Sequence, residues 1–164
     1  MTAVKSIKTT HNGITYRSRL EARWSVVLDG IGLPWEYEPV LFDLPSGRYL
    51  PDFRVLGGYP GVEFWIEVKG PVPDTREFTV ATEVNLYHGP LIILAGDIPR
   101  RHGGGTAWYF DMAADPPVWS MQTPEEAIIR AMFRDQTERP DDLGDGYDDA
   151  LSAANAMKFG EAGR

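Results

Sequence analysis

A single α/β domain, with a mixed sheet flanked by helices in the order helix, three strands, helix, strand and then a C-terminal extension, is the fold class the sequence predicts. Three observations carry it. Leu20, Trp24, Val27, Leu28 and Ile31 recur at helical spacing. Residues 62–69 alternate, with Phe64, Ile66 and Val68 on one side and Glu63, Trp65, Glu67 and Lys69 on the other. The aliphatic run Leu91-Ile92-Ile93-Leu94 follows a helical segment, as a buried strand after a crossover does.

The elements can be justified in order. Residues 1–16 form a short basic arm, in which Asn12-Gly13 turns the chain between β-prone pieces at 7–10 and 14–16. Ser18 is placed to cap the first helix, and Glu21 three residues later completes a capping box. Gly30 and Gly32 stop that helix before Pro34. Residues 35–44 are extended, Ser46-Gly47 turns the chain, and 48–56 make a second strand that contains Pro51. Proline inside a strand requires an edge or a bend, and a bend there aims Asp52 at the neighbouring strand. A loop at 57–61 leads to the third strand, 62–69. Residues 75–87 form the second helix and 90–95 the buried strand. Beyond Gly96, a strand over 106–111 and a helix over 124–134, capped by Thr123, are expected.

Composition bounds the function. With 164 residues, 43% hydrophobic and 12% aromatic, the chain supports one core and one site. It lacks cysteine, so disulfides and thiolate-bound zinc are excluded, and a metal must rest on carboxylates, carbonyls, histidine or water. That suits a reducing cytoplasm. The first eight residues have no apolar core of signal-peptide length, and no stretch approaches about eighteen apolar residues, so a soluble protein without a membrane partner is expected. The net charge of −8 is uneven: residues 135–164 carry eight acids against three bases and contribute −5 of it. With Pro140, four glycines and this acidity, 135–164 reads as a mobile tail with a short helix near 149–159, and 1–134 as the folded domain.

The chemistry concentrates in two strands that each deliver a carboxylate, Asp52 after Pro51 and Glu67 in Glu67-Val68-Lys69, with the lysine on the face of Glu67. A Glu-x-Lys on a strand face is commonly a solvated ion pair, and an Asp after Pro commonly caps a turn. A strand covered on both faces, however, does not carry unpaired charge without a partner or a task, because burying it costs several kcal/mol by order of magnitude. Arg17, Arg19 and Arg23 cluster at the first helix start, where they can grip DNA backbone, with Lys5 and Lys8 adding to it. Glu36 and Glu38 read as solvated strand residues. Arg100-Arg101-His102-Gly103-Gly104-Gly105 is equally a phosphate-contacting loop or a hairpin turn, and it lacks the Gly-Lys-Ser/Thr ending of a nucleotide-binding loop. The three histidines, His11, His88 and His102, show no ligand spacing, and Trp108 and Trp119 suit core or base stacking.

Pro51-Asp52, fourteen intervening residues and Glu67-Val68-Lys69, together with Glu21 in the opening helix, resemble the PD-(D/E)XK nuclease superfamily over residues 15–96. Within it, Ser18-Arg19-Leu20-Glu21-Ala22-Arg23-Trp24 and Trp35-Glu36-Tyr37-Glu38-Pro39 resemble small phage-encoded members and the nuclease subunit of heteromeric transposases. The resemblance implies a restriction-endonuclease-like αβββαβ core and a metal-dependent endo- or exonuclease acting on DNA in phage-type processing or recombination. It implies Mg²⁺ or Mn²⁺ held by Asp52, Glu67 and the Val68 carbonyl, with Glu21 as an outer ligand, direct or through water. Lys69 would orient or help deprotonate the attacking water and offset transition-state charge. A cleaving subunit that needs a protein partner, a homodimer, and a noncatalytic DNA-binding module on the same fold are the alternatives.

Overall fold

The computed structural model describes residues 6–57, 61–133 and 139–159. The arm enters as a hairpin of β1 (Thr9–His11) and β2 (Ile14–Tyr16), turned by Asn12 and Gly13, both at positive φ. Helix α1 (Arg19–Gly30) follows. Ser18 caps it by accepting the Glu21 N–H at 3.1 Å, but Glu21 does not close a capping box, because its carboxylate turns to Arg17 and Tyr37. The helix runs through Gly30, and Gly32, at φ +72°, makes the turn that ends it.

Residues 35–44 are two strands, where the sequence predicts one. β3 (Trp35–Tyr37) ends because Glu38 takes a positive φ of 45° and Pro39 brings no N–H to continue the ladder. β4 (Phe42–Leu44) instead pairs with β5 (Gly47–Tyr49) as a separate hairpin. The 48–56 stretch likewise divides, and the break at Pro51-Asp52 is the predicted bend, leading into β6 (Phe53–Leu56). β7 (Glu63–Lys69), α2 (Thr75–Tyr87) and β8 (Leu91–Ala95) follow, with α2 started by a full capping box between Asp74 and Glu77. β9 (Thr106–Asp111) and α3 (Pro124–Met132) are as predicted, and β10 (Val118–Gln122) is an additional strand. Lys5, the middle of the 57–61 loop and Arg134 lie outside the described residues.

The main sheet has six strands in the order β10-β9-β8-β7-β6-β3 and is mixed: β7 and β8 run parallel, joined by the α2 crossover, while every other pair is antiparallel. The alternation in β7 sorts two cores, as expected from its pattern. Phe64, Ile66 and Val68 join Phe53, Val55, Ile92 and Leu94 beneath α1 and α3. On the opposite face Trp65, Leu91 and Ile93 pack under Ala81 and Val84 of α2 and under Phe42 and Leu44 of the β4–β5 hairpin.

The acidic C-terminal stretch, expected to be mobile, forms α4 (Asp145–Ala156) and buries Tyr147, Ala150, Leu151 and Ala154 in the core beside α1. The contact is close: a Cβ at Gly30 would lie 2.5 Å from the Cβ of Ala150. The loop after β8 is strapped to this helix by Asn155, whose side-chain amide donates to the Pro99 carbonyl, and by the His102 N–H, which donates to Asp148. His102 also meets buried Glu125 at 2.9 Å, so this stretch is a docked loop and not a free phosphate-contacting one. Among the described residues no helix is long and apolar enough to cross a membrane.

Candidate active site

The antiparallel register pairs Phe53 with Ile66, so the residue before β6, Asp52, lies beside Glu67 at the C-terminal end of β7. The first turns of α1 and α2 meet that same end of the sheet, bringing Glu21 and Glu77. Asp52 is 1% exposed and Glu21 and Glu67 are each 6% exposed, so three carboxylates share one buried wall. Each is anchored by a different element. Glu21 accepts the Tyr37 hydroxyl at 2.6 Å and the Arg17 N–H at 3.0 Å. Asp52 accepts the Val68 N–H at 2.7 Å and the Arg17 guanidinium at 2.6 Å. Glu67 accepts the Tyr49 hydroxyl at 2.7 Å and lies 2.8 Å from Lys69, whose ammonium also reaches Glu77 at 2.9 Å.

Burial, followed by the negative charge of Glu67 and Glu21, pushes the Asp52 carboxyl well above the usual carboxylate range, against the opposing pull of the Val68 N–H and Arg17. Burial also raises the Tyr49 phenol far above its ordinary value, and the Glu67 charge adds to it. Tyr37 is raised by burial and by its hydrogen bond to Glu21. For Lys69 burial works against the charged form, but the Glu67 and Glu77 carboxylates outweigh it and hold the ammonium above the usual lysine value. The four groups that donate to the acids therefore keep their protons at neutral pH, since Arg17 too is held charged by Asp52 and Glu38 despite burial.

All four predicted catalytic residues are brought together, with Val68 meeting Asp52 through its N–H. The predicted DNA-gripping arginines are placed differently. Arg17 belongs to the site itself, bridging Asp52 and Glu38, and that pairing also removes Glu38 from the solvated class. Arg19 and Arg23 lie over the Phe159 ring, at 5.8 and 5.6 Å from its centroid, and Arg23 also faces Asp97. Glu36 is a half-exposed partner of Arg54, as expected. Trp108 and Trp119 pack on Phe78, so their rings serve the core beneath α2. Tyr37, Tyr49 and Glu77 are absent from the sequence prediction. Phenols carry no spacing signal, and the sequence offers nothing to single out Glu77, which the structure also uses in the capping box of α2.

Among the described residues, no three acidic or histidine side chains converge into a ready-made metal cage. Arg17 draws Asp52 to one side and Lys69 draws Glu67 to the other, so positive charge already sits on both acids. The chain matches no family model, no curated protein and no solved structure.

Proposed function

We propose that this protein is a divalent-metal-dependent DNA nuclease of the PD-(D/E)XK type, built on a restriction-endonuclease-like core and working in the cytoplasm of a bacterial or phage-infected cell. The observation that carries the reading is the cross-strand junction of Asp52 with Glu67-Val68-Lys69, in which one buried acid receives the Val68 N–H and the other receives Lys69. Taking these charges out of water is costly even when they are paired, as Asp52 is with Arg17 and Glu67 with Lys69, so the junction is weakly justified by stability alone and supports a functional role.

The donor set fits Mg²⁺ or Mn²⁺ in kind: it is all oxygen and anionic, and burial together with the neighbouring charges of Glu67 and Glu21 raises the Asp52 carboxyl. Asp52, Glu67 and the Val68 carbonyl would hold the ion, with Glu21 as an outer ligand, and the ion supplies Lewis-acid polarisation of the phosphate and activation of water. The protein's own residues do the rest. Tyr49 and Tyr37 fix the rotamers of Glu67 and Glu21 as neutral donors. Lys69, kept protonated by Glu67 and Glu77, serves as a fixed positive charge that offsets the negative charge gathering on the phosphorus oxygens as water adds and the sugar oxygen departs with a proton. A lysine held above its usual value is poorly suited to remove a proton, so the orienting and charge-stabilising role is preferred to that of a base.

The test is a gel assay on linear duplex, supercoiled circle, single strand and four-way junction, with EDTA, Mg²⁺ or Mn²⁺, beside Lys69→Ala. Metal-dependent cutting by the wild type, reduced at least about a hundredfold in the folded variant, is the expected result for loss of one preorganised charge. Cutting at wild-type rate by Lys69→Ala would overturn the assignment, and no cutting by the wild type on any substrate would shift it to a partner-dependent subunit.

A further inference from the structure

We propose that Arg48 and Arg76, and not the arginines at the start of α1, hold the substrate, gripping the phosphodiester backbone of one DNA strand across the cavity that contains Glu67 and Lys69. This rests on the nuclease reading above. The cavity, of about 290 Å³, opens between the β4–β5 hairpin and the first turn of α2, with Arg48, Tyr49, Glu67, Lys69, Arg76 and Glu77 on its walls. That volume lies at the lower end of ligand clefts, enough for the sugar-phosphate of one strand.

Charge accounting selects the two arginines. Of the cations on these walls, Lys69 is held by two carboxylates. Arg48 reaches Asp43 at 3.4 Å, where both side chains are largely exposed, and a solvated pair of that kind is worth little and is readily exchanged for phosphate. Arg76 is exposed and has no ion-pair partner among the described residues. The acids on the same walls are already engaged: Glu77 on Lys69, and Asp74 on the Glu77 N–H as the helix cap. The local repulsion of a polyanion is thereby reduced.

The alternative cations are committed elsewhere. Arg17 neutralises Asp52 and Glu38, and Arg19 and Arg23 are stacked on Phe159. Arg48 stands on the hairpin and Arg76 on α2, and both line the cavity that contains Lys69, so a strand bound by both is held against that cavity. Their side chains are long and exposed, and their guanidinium forks suit phosphate oxygens.

The test is fluorescence anisotropy with a fluorescein-labelled duplex DNA oligonucleotide, in EDTA so that nothing is cut, titrated with KCl. Wild type, Arg48→Gln/Arg76→Gln and Arg19→Gln/Arg23→Gln are compared after circular dichroism shows that each is folded. Loss of two phosphate contacts should lower the slope of log affinity against log salt by about 1.8 in the first double variant. The second should keep the wild-type slope. An unchanged slope in Arg48→Gln/Arg76→Gln, or an equal loss in both variants, overturns this assignment while leaving the nuclease reading intact. A wild type with no salt-dependent DNA binding removes both.

Discussion

Replacing Gly30 by alanine tests whether α4 is seated on α1, because the two effects of the substitution have opposite signs. Gly30 closes α1 with a backbone that is not left-handed, so alanine is allowed there and its helix propensity favours the variant by up to about 1 kcal/mol. Against this, the new methyl group would stand 2.5 Å from the Cβ and 3.1 Å from the Cα of Ala150. Neither atom can rotate away, so the helices must separate, and overpacking of this kind costs about 1–3 kcal/mol. The net expectation is destabilisation of about 1–2 kcal/mol, read as a fall in Tm of about 2–8 °C for a domain of this size. Ala150→Gly added to Gly30→Ala should recover most of the clash energy in a double-mutant cycle, leaving only the propensity loss in α4. The assay is thermal unfolding by circular dichroism in EDTA. A Gly30→Ala variant with an unchanged or higher Tm would show that α4 does not rest on α1, and the acidic stretch would revert to a mobile tail.

On the proposed reading Arg17 and a divalent ion would compete for the Asp52 carboxylate, so Arg17→Gln should tighten Mn²⁺ binding about fivefold by calorimetry, taking about 1 kcal/mol for a charge-assisted bond whose arginine is half exposed. Unchanged or weaker binding would show that Arg17 supports the site and does not guard it. The raised Asp52 carboxyl gives a pH dependence to the metal-free protein. A group whose folded value lies above its unfolded one contributes stability below about pH 4, and that contribution is lost as pH rises through the folded value. Asp52→Asn mimics the protonated form, so in EDTA it should raise Tm at neutral pH, have little effect below about pH 4, and abolish cleavage. A lower Tm at neutral pH would mean that Arg17 and the Val68 N–H outweigh the cost of burial.

The parts of this fold that could be read from the residues are those with strong periodicity or paired signals. The alternation of β7, the aliphatic run of β8 and the N-cap residues of α1 and α3, Ser18 and Thr123, each appear where their patterns predict. So does the bend that Pro51 imposes, and with it the neighbouring placement of Asp52 and Glu67. The division of 35–44 was not legible, because a positive φ at Glu38 is a demand of the tertiary structure and leaves no trace in a β-prone segment. Helix α4 did leave a trace. Tyr147, Ala150, Leu151 and Ala154 recur at helical spacing, but three of the four are modest in size or polar at the tip, and the surrounding aspartates dominate the composition. In the site, the acids and Lys69 were legible by chemistry. Their phenolic and arginine partners were not, since a hydrogen bond from Tyr49 to Glu67 or from Arg17 to Asp52 depends on how strands are laid side by side.

That dependence bears on when, during synthesis, such a site comes into existence. Beside the local bonds of Arg17 to Glu21 and of Lys69 to Glu67, four supports join separate elements: Tyr37 to Glu21, Arg17 to Asp52, Tyr49 to Glu67 and α2 to Lys69. An early fragment can carry an acid with a local donor but not the full set, and β7 itself is sheltered only after β8 has crossed over to lie beside it. Contacts of this range are closed late and together, so on the nuclease reading an emerging or half-folded chain lacks the assembled centre, which forms with the sheet. For a protein whose proposed substrate is the genetic material of the cell that makes it, the order of assembly is itself a safeguard.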